Sequence, residues 1–267
     1  MVELYCVLHK DPAYSREKTL GFLAQERCIS RDEAVAAFQE SPGFLLENAS
    51  LAKASAFNLR ASAYGFETLL LSHKDLRNPP PPLPVSKIEP KTEGFYFTSG
   101  VLKDHIPAKT VRALAACAYD VEIPPKDTSA LETGFINSLR ARYFPSIPPL
   151  PQPPSAKETV FTADIITDGP MPLRLSLPCD GQDYSGLGPL KALSSLENFR
   201  VLLDELSARA FGAGNNRFLE ALLKGEPLTP LKSPSPEAYE KELIWLLTIK
   251  KEPKKEPASF LPWKCFH

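Results

Sequence analysis

Four consecutive prolines, Pro79–Pro82, open the run NPPPPLP and divide the chain more sharply than any other feature. Proline fixes φ near −65° and lacks a backbone N–H, so such a run suits neither a helix interior nor the middle of a sheet. It favours extended polyproline II, at about 3 Å per residue. With the following VSKIEPKTE it predicts a semi-rigid spacer over 78–93 and a domain boundary there. The 28 prolines are about twice ordinary usage, and they cluster. A second run, PSIPPLPQPPSAKE, marks a long connection in the later half, and KKEPKKEP precedes the end. Length agrees with the division, because 267 residues exceed the size of a typical single core.

The charges narrow the class of partner. A net charge of −1 supplies no basic field, so nucleic acid is not an expected partner. Cys6, Cys28, Cys117, Cys179 and Cys265 make an odd count without repeated spacing, which predicts neither a disulfide framework nor a zinc site. Met1 leads straight into VELYCVL and then charges, with no leader pattern, and no apolar run approaches the roughly 20 residues of a membrane span. The expected setting is cytoplasmic and reducing, with no membrane contact, metal or cofactor.

Before the proline run, strands and helices alternate. VELYCVLH reads as a strand. SREKTLGFLAQERCI reads as a helix capped by Ser15, and SRDEAVAAFQESP as a second, with a Ser30–Glu33 capping box and Pro42 at its end. GFLLEN is a short strand. A third helix runs from Ser50 with Ala54, Phe57 and Ala61 on one face, and Gly65 stands where a helix end wants positive φ. FETLLLS closes the segment as a strand, so the order is β-α-α-β-α-β.

That order resembles the C-terminal domain of the bacterial ribosomal stalk protein, over Val2 to about Ser72. RDEAVAAFQESP is similar to that family's second helix, and NASLAKASAFNLRASAYGFETLLL to its Ser-capped third helix, glycine and final strand. The resemblance implies the fold and a history of protein contact. In that family, lysines on the helix pair recruit translation GTPases. The matching positions here are Asp32 and Val35, so the basic docking surface is absent or reversed, which implies reuse for another protein contact.

The later segment predicts an α+β domain. GFYFTSG reads as a strand. PAKTVRALAACAYDV reads as a helix with Val111, Leu114, Ala115 and Ala118 inward. SALETGFINSLRARYF reads as a helix with a Ser129–Glu132 capping box and Leu131, Phe135, Leu139 and Tyr143 on one face. TVFTADIIT and PLRLSLP form a β-hairpin around Asp168-Gly169, since Leu173, Leu175 and Leu177 alternate with polar residues. SSLENFRVLLDELSARAF has a Ser194–Glu197 capping box and the strongest apolar stripe in the chain. RFLEALLKG and SPEAYEKELIWLLTI are the remaining helices. GAGNN between two of these helices follows a helix rather than a strand, so a helix end is expected and not a phosphate loop.

The expected fold is therefore α+β. A β-α-α-β-α-β domain fills 1–77, the linker 78–93, a larger domain with a hairpin and several helices 94–250, and a flexible charged tail 251–267.

Chemistry concentrates in PCDGQDYSGLG, where Cys179, Asp180, Asp183, Tyr184 and Ser185 lie between glycines. An enzyme reading enlists Cys179 as nucleophile, the two acids and Tyr184 around it, and His105 and Arg174 as helpers. Against it, a thiol needs a neighbouring base and Asp180 disfavours the thiolate. Turn chemistry accounts for the same residues. The pairs Cys6 and His9, and Cys265 and His267, lack further ligands for a metal.

The terminus SFLPWKCFH offers a partner-binding motif through Phe260, Leu261, Trp263 and Phe266. The expected function is thus a non-catalytic, cytoplasmic protein-interaction or scaffold protein with a protein partner. An enzyme centred on Cys179–Ser185 and a ribosome- or RNA-associated factor are the alternatives.

Overall fold

The computed structural model describes residues 3–123, 127–143 and 156–250. It is an α+β protein whose described residues fall into two compact units, 3–80 together with 240–250, and 81–239.

The first unit follows the expected order: β1 (Tyr5–His9), α1 (Arg16–Arg27), α2 (Arg31–Glu40), β2 (Phe44–Ala49), α3 (Leu51–Ala63) and β3 (Thr68–Ser72). Ser15, Ser30 and Ser50 each accept the N–H three residues on, which fixes where the helices begin. Glu33 returns the bond to the Ser30 N–H and completes the capping box. Gly65, at φ +89°, turns the chain out of α3 into β3. The antiparallel sheet has the order β2-β1-β3. Its central strand buries Cys6, Val7 and Leu8 completely, and Leu23, Ala34, Ala54 and Phe57 from the three helices are buried as well.

The second unit contains β4 (Pro82–Pro84), β5 (Lys87–Pro90), β6 (Gly94–Ser99), β7 (Leu102–Pro107), β8 (Val111–Ile123), α4 (Asp127–Tyr143), β9 (Ala156–Thr167), β10 (Arg174–Pro178), α5 (Ser195–Arg209), β11 (Gly214–Asn215) and α6 (Arg217–Lys224). A five-stranded sheet has the order β11-β8-β9-β10-β4, and β5-β6-β7 form an antiparallel meander. The apolar face of the large sheet carries Leu114, Ala116, Ala163, Ile165, Leu175 and Leu177. With Phe95 and Ile88 of the meander and Phe199, Leu203 and Leu219 of α5 and α6, these side chains make one core.

Several expectations are corrected here. The spacer over 78–93 is largely built into sheets, because Pro82–Pro84 pairs parallel with β10 and Lys87–Pro90 pairs with β6. Polyproline II lies close to β backbone, and an edge strand tolerates proline because its outer side needs no donor. Val85, just past the prolines, donates its N–H to the Ser176 carbonyl.

The expected helix PAKTVRALAACAYDV is instead strand β8. Residues Val111–Ala118 are buried without interruption, a pattern that a helix with one solvent face does not show. Small Ala and Cys side chains let a central strand pair closely with β9, and tertiary packing overrides the helical preference of alanine.

Other expectations hold. The β9–β10 hairpin pairs Arg174 with Ile166 through Pro178 with Thr162, with Gly169 at φ +138° in its loop. Ser194 caps α5 by accepting the Glu197 N–H, which is half of the expected capping box, and the helix buries Phe199, Leu202, Leu203 and Leu206. The start of the next helix is corrected, since α4 begins at Asp127 and Ser129 lies inside it rather than capping it; the side chains of the expected capping box lie outside the described residues. So does most of the second proline run, over 144–155, although Ala156–Glu158 belong to β9.

GAGNN is a helix exit that becomes a strand. Gly214 and Asn215 pair with Ala113 and Leu114. The buried Asn216 amide then extends the pairing by one step. Its Oδ1 accepts the Ala116 N–H at 3.1 Å and its Nδ2 donates to the Ala116 carbonyl at 2.8 Å. The same Oδ1 caps α6 through the Leu219 N–H.

The chain ends its described course in α7 (Pro236–Ile249). From Glu240 onward this helix belongs to the first unit, not to the domain over 94–250 that was expected to contain it. Trp245 is the reason. Its indole is 2% exposed, its Nε1–H donates to the His9 carbonyl at 2.7 Å, and its ring meets Tyr14 edge-on. A long-range docking of this kind leaves no local trace in the residue pattern.

Candidate functional site

The stretch after β10 is the first place to look for chemistry. Asp183 donates its N–H to the Ser86 carbonyl at 2.7 Å, which ties the turn to the start of β5. Its carboxylate accepts the Ser185 N–H at 2.8 Å and hydroxyl at 3.0 Å. Those two bonds, and then the more distant Lys87 and Lys191, hold the Asp183 carboxyl below its ordinary range. The Tyr184 phenol is buried and donates to the Cys179 carbonyl at 2.6 Å. Asp180 is exposed.

The thiol of Cys179 points away from catalysis. Burial first, and the neighbouring Asp180 second, push it up to about 11. Among the described residues no histidine bonds to it. His105 lies on the exposed edge strand β7 with its ring stacked on Tyr96, and the nearest acid to its Nδ1 is Asp104 at 3.8 Å. Arg174 is committed elsewhere, since its Nε and Nη2 grip the buried Asp164 carboxylate at 2.9 and 3.1 Å. Cys179, Tyr184 and Asp183 are thus neighbours in a turn, and His105 and Arg174 are engaged outside it. The arrangement provides no activated nucleophile and no acid–base pair.

A labelling experiment checks this environment. At pH 8 a thiol near 11 is ~0.1% thiolate, and its burial blocks access besides. Peptide-resolved alkylation of the native chain is expected to modify exposed Cys28 at least ~100-fold faster than Cys179, Cys6 or Cys117. Rapid modification of Cys179 would identify an activated thiol instead.

A groove of about 430 Å³ lies on the outer face of the meander, lined in part by Lys87, Glu89, Lys91, Tyr96, Lys103 and His105. It carries three lysines, but Glu89 stands between two of them, at 2.7 Å from Lys87 and 3.9 Å from Lys91. Lys87 is shared further with Asp183 at 3.9 Å. The charges compensate one another, so the groove does not present a cradle for a phosphate.

An exposed apolar surface lies at the end of the β8–β9 pair. Strand β10 covers β9 only from Thr162 to Ile166, and β11 covers β8 only at Ala113 and Leu114. Beyond them β8 and β9 continue as a two-stranded ribbon to the Ile123–Ala156 pair. Lys232 pins its root through Asp120 Oδ1 and Thr159 Oγ1, both at 2.8 Å. Val121 and Ile123 are exposed along one face of the ribbon. At its far end α4 exposes Phe135 (65%), Ile136 (42%), Leu139 (40%) and Tyr143 (63%).

The sequence marks three of those four residues as one helix face, and the structure agrees. What was missed is that this face is exposed. Periodicity reports that apolar residues share a face, not what covers it.

Among the described residues no cluster of His, Cys, Asp and Glu could hold a metal ion, and no helix is long and apolar enough to cross a membrane. The partner-binding candidates Phe260, Leu261, Trp263 and Phe266 lie outside the described residues. No family model, curated protein or solved structure matches the chain.

Proposed function

We propose that this chain is a protein-interaction protein whose docking surface is helix α4, held out on the β8–β9 ribbon. The exposed apolar stripe Phe135, Leu139 and Tyr143, with Ile136 beside it, carries the reading. Large apolar side chains in water on a helix make a face suited to a partner, read at i, i+4 and i+8. A two-stranded ribbon is marginal alone, and a bound partner would stabilise it. The buried thiol and the engaged helpers around Cys179 favour this reading over the enzyme. The compensated groove and the net charge of −1 give nucleic acid no comparable surface. The tail motif Phe260–Phe266 remains a second candidate contact on its sequence alone.

The test co-expresses tagged and untagged copies of the full chain, and identifies by mass spectrometry what the tagged copy retains. Phe135→Glu/Leu139→Glu is expected to lose a specific protein at least ~10-fold, while the circular dichroism spectrum is unchanged. Ending the chain at Ala258 measures the tail separately. Retention of every associated protein by the double variant would overturn the reading.

A further inference from the structure

We infer that β3 is a self-pairing edge, at which a second copy of this chain adds its own β3 in the antiparallel sense. The contact joins two three-stranded sheets into one. It belongs to the first unit and does not depend on the docking role of α4.

The phase of the β1–β3 ladder leaves this edge open. The two strands pair from Tyr5–Ser72 to His9–Thr68 without a bulge. The Lys10 N–H donates to the Glu67 carbonyl, and the His73 N–H to the Leu4 carbonyl. Such bonds recur at alternate residues of an antiparallel pair, so Leu69 and Leu71 also turn their backbone groups towards β1. Thr68, Leu70 and Ser72 turn theirs outward, and among the described residues no hydrogen bond reaches those N–H and C=O groups. The side chains agree. Successive residues of a strand point to opposite faces, yet Thr68 to Leu71 are all partly exposed, whereas Cys6, Val7 and Leu8 of the central strand are fully buried. Leucines on both faces are thus open through the edge. An edge of this kind is a template for another strand unless lysine, proline, a bulge or a covering segment blunts it. The strand TLLLS has no lysine, proline or bulge. On β2, at the opposite edge of the sheet, Arg27 Nη2 donates to the Leu45 carbonyl at 3.0 Å.

The order of residues along β3 selects a second copy as the occupant. The outward groups at 68, 70 and 72 are centred on Leu70. A twofold axis through that point sets Leu70 opposite Leu70 and Thr68 opposite Ser72 on one face, and Leu69 opposite Leu71 on the other. Each outward residue then exchanges both of its backbone bonds with its counterpart. Every leucine meets a leucine, each small polar residue meets another, and no charge lies within the strand. Just beyond it Glu67 stands opposite His73 of the second copy, so no acid meets an acid. A C2 contact needs a patch complementary to itself, and TLLLS is one. The tail of the chain fits this edge less well, because Pro253, Pro257 and Pro262 lack the N–H that a paired strand supplies. Five residues from each copy bury far less than the ~1,600 Å² of a standard interface, so the dimer is expected to be weak, micromolar or looser.

Sedimentation velocity on the full chain, from about 5 to 500 μM, tests the proposal. The weight-average mass is expected to rise from the 29.5 kDa monomer towards twice that value. Leu70→Lys and Leu70→Glu each set like charges opposite one another on the axis, and each is expected to raise the dissociation constant at least ~10-fold. An equimolar mixture of the two should restore association, because position 70 meets position 70 only across copies. Leu70→Pro removes an outward N–H and none of the bonds to β1, and should weaken the dimer at least ~10-fold as well. Unchanged circular dichroism spectra confirm that the three variants are folded. A monomer at every concentration, a dimer that ignores the three variants, or a mixture that recovers nothing would overturn the inference. A monomer that holds a strand of another protein, lost on Leu70→Pro, would overturn it too.

Discussion

Trp245→Ala is expected to destabilise the first unit by about 3–5 kcal/mol, the usual consequence of removing a large buried aromatic side chain. The loss has several sources. The indole is nearly inaccessible, its N–H satisfies the His9 carbonyl, and its ring packs edge-on against Tyr14. Truncation leaves a cavity beside a buried carbonyl that has lost its donor. Gly43 provides an independent check on the same packing. A Cβ there would sit 2.1 Å from the indole Cδ2, and the residue holds φ +81°. Gly43→Ala therefore combines a clash with backbone strain, and is expected to lower stability by about 2–4 kcal/mol. Urea titrations followed by circular dichroism read both variants. A loss below about 1 kcal/mol in each would mean that α7 does not complete this unit.

The second large effect concerns the buried pair between Asp164 and Arg174. The two residues are 1% and 5% exposed, and the guanidinium meets the carboxylate through two parallel bonds. Asp164→Ala leaves a buried cation without its counter-ion and is expected to cost about 3–5 kcal/mol. Removing both charges with Asp164→Leu/Arg174→Met should be milder, because apolar replacements of similar volume avoid the desolvation that the pair must overcome. The diagnostic is therefore the order of the two losses. A double variant at least as damaged as Asp164→Ala would show that the pair contributes more than mutual neutralisation.

Legibility followed the range of the interactions. Caps, turns and amphipathic faces act within a few residues. Ser15, Ser30, Ser50, Ser194 and Gly65 accordingly all do in the structure what the sequence predicts. Pairing across the chain acts at long range and was not legible. Strand β8 looks helical because Ala113–Ala118 would suit a helix, and only its burial between β9 and β11 makes it a strand. Prolines 82 and 84 look like spacer because edge pairing depends on a partner almost a hundred residues away. Trp245 looks like an ordinary core residue of the last helix, and its contact with His9 spans 236 positions.

The candidate site was legible in the same uneven way. The turn chemistry of Asp183 and Ser185 was expected from the residues, whereas the capture of Arg174 by Asp164 was not. The face of α4 was readable as a face. Its exposure depends on how far β8 and β9 outrun their neighbours, which no local pattern encodes.

A photo-crosslinking amino acid placed at Phe135 of the full chain tests the central claim most directly, with the same probe at exposed Leu59 of α3 as the control. Illumination in expressing cells, followed by mass spectrometry of the joined peptides, is predicted to give one discrete protein adduct at 135 and none at 59. No protein adduct at 135 would contradict the docking role of α4.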